Sequence, residues 1–239
     1  MLGRPLDFAP GERYAYSNFG YCALGRAIEA ASGKSYEEYV QQQVLAPLGI
    51  RSMRLGKSKL EQRQPGEVRY YDSGTGPSVF AADAGKTLPA SYGTFCLEAM
   101  DAHGGWLASA VDLVRFASAF DDPAKCPILK EESVRQMAAR PTKDVELDAE
   151  GKPRETYYGL GWSVRPLGKR GMNVWHTGSI PGTATILIRR HDGRNIAVLF
   201  NTRTHPEGKN LIGELEGPLH RTLDNVTAWP QHDLFREFR

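Results

Sequence analysis

The chain has 239 residues, of which 41% are hydrophobic and 24% are charged, which is the balance of an ordinary globular protein. Thirty basic and 28 acidic side chains leave a formal net charge of +2, which excludes a strongly polyanion-seeking surface, so no nucleic acid is expected among the partners. No apolar run approaches the roughly 20 residues that cross a bilayer, and no membrane span is predicted. The three cysteines lie far apart and outside zinc-ligand spacing, and the sequence predicts neither a metal site nor a cofactor.

Helical patterns dominate the first part of the chain. Apolar residues at helical spacing predict a helix over residues 16–31, which Gly33 ends, and Ser35 caps a second helix that ends at Pro47. Residues 51–105 are rich in turn signals and predict loops, which in compact domains often form the walls or lids of functional sites. The two other helices of this part are predicted to begin at Ser109 and to cover residues 131–139.

The sequence changes to β-rich patterns after residue 142. Residues 143–155 are charged and predict a surface loop or hairpin, and the Asp-Gly pair at 192–193 predicts a tight turn between two later strands. Residues 209–225 predict a closing helix, which the Gly-Pro pair at 217–218 should kink or break. The predicted strands are Tyr157–Val164, Asn173–His176, Thr183–Arg190 and Ile196–Asn201.

This order of elements predicts an α+β fold, because the helices and the antiparallel strands are segregated rather than alternating. Two regions are predicted. Residues 1–142 form a mostly helical, loop-rich subdomain, and residues 143–239 form an antiparallel sheet with a C-terminal helix.

Two short motifs remain after common catalytic signatures are excluded, since the chain has no Walker loop, GxGxxG, HExxH or GxSxG sequence. Tyr16-Ser17-Asn18 opens the first helix, and His176-Thr177-Gly178 ends a β-run before a Pro-Gly turn. Taken singly, Tyr16 is explained as a half-buried tyrosine, Asn18 as a helix cap and His176 as a histidine at a strand end.

The residues that flank these motifs give them more weight. The two motifs and their flanking residues together resemble the serine β-lactamase and penicillin-binding-protein superfamily, in its class C-like branch, which also holds esterases and D-aminopeptidases. The matches run in the family's order from about residue 7 to residue 201. They include Tyr16-Ser17-Asn18, Gly104-Gly105-Trp106, Tyr158-Gly159-Leu160-Gly161-Trp162, His176-Thr177-Gly178 and Leu199-Phe200-Asn201. The resemblance implies a β-lactamase/transpeptidase-like fold, with a helical subdomain and an antiparallel sheet flanked by helices.

The same resemblance implies acyl transfer or hydrolysis of an ester, an amide or a β-lactam through a serine acyl-enzyme, and it assigns catalytic roles. Tyr16 corresponds to the motif tyrosine, a base or proton shuttle. Asn18 corresponds to the asparagine that binds the substrate carbonyl and fixes the catalytic lysine. His176 stands where the family often has lysine, so its charge depends on pH, and an ester or peptide substrate is favoured over obligate recognition of a β-lactam carboxylate.

Substrate-binding roles follow for the rest of the second motif. Thr177 offers a hydroxyl to the substrate, and Gly178 lets the substrate lie close to the strand edge. The backbone N–H of Ser179 matches the family's second oxyanion donor.

One departure from the family pattern limits these expectations. The family requires a Ser-x-x-Lys tetrad whose serine is the nucleophile, and no Ser or Thr of this chain has Lys three residues later. The chain is therefore expected to be the C-terminal part of such a hydrolase, incomplete without an upstream segment. Two alternatives stay open: a non-catalytic relic that binds a ligand or partner, and an interaction scaffold. The compartment also stays open, with a periplasmic or secreted protein favoured, because any signal would lie upstream.

The expected partners follow from that incompleteness. They are a small-molecule or peptide acyl substrate, and either the upstream fragment as a second chain or a second copy in a homodimer. Without such a partner, the apolar side of the Tyr16 helix and the inner faces of the strands are expected to lose part of their cover. The strand residues concerned are Trp175, Ile186, Ile188, Val198 and Phe200.

We predict that the chain alone forms no acyl-enzyme, because it lacks the nucleophile tetrad. The test is incubation with a fluorescent penicillin or a fluorophosphonate, followed by intact-mass measurement. A stoichiometric adduct on any serine would contradict the prediction.

Overall fold

The computed structural model describes residues 3–141, 147–203, 205 and 207–238. Its helices are α1 (Asn18–Ser32), α2 (Tyr36–Val40), α3 (Asp101–Gly104), α4 (Ala110–Ser118), α5 (Glu131–Met137), α6 (Leu211–Asp224) and α7 (Leu234–Glu237). Its strands are β1 (Arg54–Leu55), β2 (Thr75–Pro77), β3 (Thr87–Pro89), β4 (Trp106–Leu107), β5 (Tyr157–Tyr158), β6 (Ser163–Pro166), β7 (Met172–Ile180), β8 (Thr183–Arg189) and β9 (Asn195–Phe200). This is the predicted α+β architecture.

Gly33 ends α1 and Ser35 caps α2, as predicted, whereas α1 begins at Asn18, two residues after the predicted start. The hydroxyl of Ser17 accepts the N–H of Gly20 at 3.0 Å, and Gly33 ends α1 with φ of +69°. Ser35 caps α2 in the same way at the N–H of Glu38. The backbone then continues through one π-helical and one 3₁₀ turn to residue 48. Residues 51–105 are mostly loops, as predicted, with two small two-stranded sheets, β1 with β4 and β2 with β3.

Five strands form one antiparallel sheet in chain order, from β5 to β9. The predicted single strand Tyr157–Val164 is wrong, because Gly161 has φ of +82° and the chain reverses there into the β5–β6 hairpin. The predicted strand Asn173–His176 is too short, since β7 runs on to Ile180. The His-Thr-Gly motif therefore lies within a strand and not at its end.

The core packs on both faces of this sheet. On one face, Tyr157, Trp162, Val164 and Val174 form a buried cluster that contacts partly buried residues of α4 and α5. On the other face, a second cluster of buried residues packs against α6. Its members are Ala184, Ile186, Ile188 and Ile212.

Helix α6 decides two expectations about the sheet side of the molecule. The predicted loss of cover is wrong for Ile186 and Ile188, whereas Trp175, Val198 and Phe200 are only partly buried, and the predicted break at Pro218 is absent. Ile186 and Ile188 do not lose cover, because α6 packs over them and leaves each 1% exposed. The helix also continues through Pro218 without a break. Pro218 has no N–H to pair with the carbonyl of Glu214, and because both residues are exposed, that carbonyl is open to solvent.

The apolar side of α1 is open, as expected. Tyr16, Phe19 and Leu24 are 55%, 41% and 57% exposed, although all three are large and apolar. On its opposite side α1 packs against α3 through Gly25, the helix's only buried residue.

The boundary predicted at 142/143 and the start of the predicted 143–155 loop lie outside the described residues, and the division into two subdomains stays a prediction. No described helix has both the length and the apolar composition to span a bilayer.

The contact between α1 and α3 yields a matched pair of substitutions. A Cβ at Gly25 would lie 2.6 Å from the Cβ of Ala102, whereas one at Gly20 meets nothing closer than 3.5 Å. Both changes to Ala gain helix propensity, up to about 1 kcal/mol. Overpacking at Gly25 costs about 1–3 kcal/mol of unfolding free energy, which exceeds that gain, so Gly25→Ala is expected to lower the melting temperature. Gly20→Ala is expected to hold or raise it. Equal melting temperatures for the two variants would contradict this packing.

Candidate active site

The first motif lies at the start of α1. Tyr16 comes directly before the N-cap Ser17, whose extended backbone turns the chain into the helix. Asn18 is the first residue of α1; it is exposed, and its side chain forms no hydrogen bond with another described residue. The helix start thus presents Tyr16 and Asn18 toward the surface.

The second motif lies on β7, where alternate residues face opposite sides of the sheet. His176 is paired with Leu187, Thr177 with Ile186 and Gly178 with Thr185. A Cβ at Gly178 would lie 2.5 Å from the hydroxyl of Thr185, so this position has no room for a side chain. Thr177 and Ser179 are exposed.

Tyr158 connects the two motifs. Its hydroxyl is 2.8 Å from Nε2 of His176. Its ring packs edge-on against the ring of Tyr16, with 5.9 Å between centroids, and against Tyr14 at 5.6 Å. The structure therefore brings Tyr16 and His176 to one side chain, while Asn18 does not join them.

Sequence reasoning did not assign a role to Tyr158. A signal was available, because the Tyr-Gly-Leu-Gly-Trp segment at 158–162 is among those that carry the family resemblance. Tyr14 and Tyr21 gave no comparable signal. Their place beside Tyr158 depends on how α1 packs against the β5–β6 hairpin.

A cavity of about 410 Å³ opens beside these tyrosines. The residues that line it are Tyr14, Ala15, Tyr16, Ser17, Gly20, Tyr21, Leu24, Tyr158 and Gly159. None of these residues is Asp, Glu, Lys, Arg or His. The cavity thus offers aromatic faces and hydroxyls, and Leu24 adds an apolar wall.

Burial keeps the site uncharged. It raises the pKa of Tyr158, and the neighbouring Tyr21, Tyr16 and Tyr14 raise it further. Burial also raises the pKa of Tyr21. At His176, burial lowers the pKa below its usual value, more than the hydrogen bond with the backbone of Thr177 raises it. Both phenols are therefore protonated and the imidazole is neutral at neutral pH.

One edge of β7 is open beside the site. Strand β6 pairs with β7 from Met172 only to Trp175, so residues 176–180 pair on one side alone, with β8, among the described residues. Exposed backbone groups on such an edge can bind an extended chain as an added strand. The open edge begins at His176, directly beside Tyr158.

Comparison with known proteins places the chain in a family. A family model described as Beta-lactamase matches residues 1–215. Penicillin-binding protein 4* of Bacillus subtilis (strain 168) is 26% identical over 200 residues, which cover 82% of this chain and 41% of that protein.

Solved structures agree with that match. The octameric penicillin-binding protein homologue from Pyrococcus abyssi has a TM-score of 0.62 and 26% identity, and the match covers 90% of this chain and 44% of the other. SurE with D-Leu has a TM-score of 0.61 and 26% identity over 96% of this chain and 48% of the other. The chain thus spans about half the length of these relatives. Its α+β fold is that of the β-lactamase/transpeptidase group, and the chain belongs to the beta-lactamase family of serine hydrolases and penicillin-binding proteins.

Proposed function

We propose that the chain is the C-terminal part of a serine hydrolase of the class C-like branch, with its active site at Tyr158. The observation that carries this proposal is the contact of Tyr158 with both Tyr16 and His176, at the start of the open edge of β7. Neither motif alone supports an active site, because a tyrosine before a helix or a histidine on a strand is common.

The nucleophile is proposed to come from a segment outside these residues. Its serine oxygen attacks the substrate carbonyl carbon, the bond to the leaving alcohol or amine breaks, and an acyl-enzyme forms. Tyr16 relays the proton: its phenol takes the proton from the serine as it gives its own to the lysine of the same Ser-x-x-Lys segment, and the proton returns to the leaving group by the reverse path. Water then attacks the acyl carbon and releases the acid and the serine. The backbone N–H of Ser179 donates to the developing oxyanion.

Asn18, Thr177 and Gly178 are proposed to bind the substrate. The exposed amide of Asn18 and the exposed hydroxyl of Thr177 are accessible from solvent, and Gly178 leaves the strand without a side chain at that position. An acyl chain laid along the open edge would pass residues 177 and 178 in order.

The proposed substrate is an ester, an amide or a D-amino-acid peptide. A neutral His176 supplies no permanent cation for a carboxylate, which weakens the case for an obligate β-lactam substrate. SurE, a relative whose structure is solved with D-Leu, supports a D-amino-acid group near the scissile bond.

The open side of α1 is proposed to be covered by the segment that carries the nucleophile. Tyr16 and Leu24 belong both to this exposed side and to the lining of the cavity beside Tyr158. A segment docked there would bury apolar surface and bring its serine to the site in the same step. A homodimer through α1 would bury the same side chains without supplying a Ser-x-x-Lys tetrad.

A second candidate is a non-catalytic domain that binds a peptide or an acyl ligand. The observation that favours it is the lack of a Ser-x-x-Lys or Thr-x-x-Lys sequence in the chain. The gene's sequence ahead of codon 1 separates the two candidates: an in-frame Ser-x-x-Lys supports the hydrolase, and its absence there and in any copurifying chain supports the binding domain.

In the protein completed with its nucleophile segment, Tyr16→Phe is expected to lower kcat for ester hydrolysis by roughly 10²–10⁴-fold, with a much smaller change in KM. The reason is that the change removes only the phenolic proton carrier. Tyr39→Phe, on α2 and outside the cavity lining, is the matched control and should retain wild-type kcat. If Tyr16→Phe stays within about threefold of wild type, Tyr16 is not in the proton path.

His176 should titrate below the ordinary histidine value of about 6.5, because burial disfavours the imidazolium. Its contribution to stability is complete above that ordinary value and is lost as the pH falls toward the lowered pKa. NMR titration of the imidazole Cε1 proton measures the midpoint, and His176→Gln assigns the resonance. A midpoint at or above 6.5 would show that burial does not control this residue.

A further inference from the structure

The turn between β7 and β8 is poorly suited to its strands. Ile180 pairs with Thr183, so Pro181 and Gly182 form a two-residue loop. Proline holds φ near about −65°, and Gly182 has φ of +86°, which together make a type II turn. Type II turns splay the strands of a two-residue hairpin, because their twist does not match that of the sheet. This hairpin therefore needs support from outside itself.

Asp72 supplies that support. Its Oδ2 accepts the N–H of the buried Gly182 at 3.1 Å, and its Oδ1 accepts the N–H of Gly74 at 3.0 Å. Arg203, just after β9, lies 3.4 Å from Oδ2. The Asp72 side chain is only 7% exposed, so its carboxylate is paired with these protein groups rather than with water.

The segment that carries Asp72, residues 69–74, is itself fixed to the end of β9. The N–H of Tyr71 donates to the carbonyl of Asn201 at 2.9 Å, and the Asn201 side chain donates to the carbonyl of Arg69 at 2.9 Å. Asp72 thus joins the β7–β8 turn to a part of the sheet that has its own support.

The turn is also closely packed at Gly182. A Cβ at Gly182 would lie 2.4 Å from the hydroxyl of Ser91 and 2.8 Å from the Cβ of Tyr70. The turn therefore contacts both a packed wall and a carboxylate acceptor. It has one position in which its buried N–H is satisfied.

We infer that Asp72 is a positioning residue for the active site, an inference that rests on the proposed function. By fixing Gly182, four residues beyond Gly178, it holds the open edge of β7, residues 176–180, in register with Tyr158. A substrate that lies along this edge as an extended peptide depends on that register. A small ester that does not reach along the edge depends on it far less.

The test compares Asp72→Asn with Arg203→Gln in the protein completed with its nucleophile segment. Asp72→Asn keeps the size of the side chain but turns one acceptor into a donor, so it loses one of the two amide hydrogen bonds. Arg203→Gln removes only the 41%-exposed ion-pair partner and leaves both amide bonds in place. The two variants therefore separate positioning from surface charge.

For Asp72→Asn, KM for a D-amino-acid peptide amide is expected to rise about tenfold or more, while kcat/KM for a small acetate ester stays within about threefold. Arg203→Gln should resemble wild type on both substrates. A loss for Asp72→Asn that is equal on peptide and ester would indicate a merely structural role and overturn the inference.

A second measurement does not depend on activity. In the chain alone, Asp72→Asn is expected to speed amide hydrogen exchange at residues 178–183 by about tenfold, while the α6-covered Ile186 and Ile188 keep wild-type rates. If the completed wild-type protein hydrolyses neither substrate, the proposed function fails, and exchange alone decides whether Asp72 holds the edge. Unchanged exchange at residues 178–183 would overturn the inference in either case.

Discussion

Tyr158 lies between the two motifs, with its hydroxyl on the imidazole of His176 and its ring against Tyr14 and Tyr16. These contacts join the start of α1 to the middle of the sheet, two parts of the chain that are about 160 residues apart in sequence. They also partly bury the imidazole and the phenol, and this burial lowers the pKa of His176 and raises that of Tyr158. The uncharged character of the site is thus a consequence of this packing.

The place of Tyr158 is in turn fixed by the β5–β6 hairpin and the end of α5. The N–H of Leu160 donates to the carbonyl of Met137 at 2.9 Å, and a Cβ at Gly159 would lie 2.3 Å from that same oxygen. The neighbouring Tyr157 turns to the core, where its hydroxyl donates to the carbonyl of Ala138 at 2.9 Å. Adjacent residues of one short strand therefore serve the core and the site, because side chains alternate across a strand.

The other side of the site depends on β7 and its turn. The strand's open edge begins where β6 stops pairing, and its far end is held by the carboxylate of Asp72. Two supports that are remote in sequence, α5 and residues 69–74, therefore control the two sides of one site. Residues 69–74 lie in the loop-rich stretch whose turn signals predicted functional walls, and here they brace the sheet.

Local signals in the sequence determined the helix ends, the hairpin at residue 193, the α+β order and the two motifs, because caps, turns and periodicity act over a few residues. They could not determine that Tyr157–Val164 folds back on itself, that α6 passes through Pro218, or that Tyr158 joins Tyr16 to His176. Each of these depends on a distant partner: Met137 for the hairpin, solvent beside α6 for the proline, and the packing of α1 on the sheet for the tyrosines. The sequence thus predicted candidate residues for the chemistry, and tertiary packing decided which of them meet, since contacts between distant segments leave no periodic pattern in the chain.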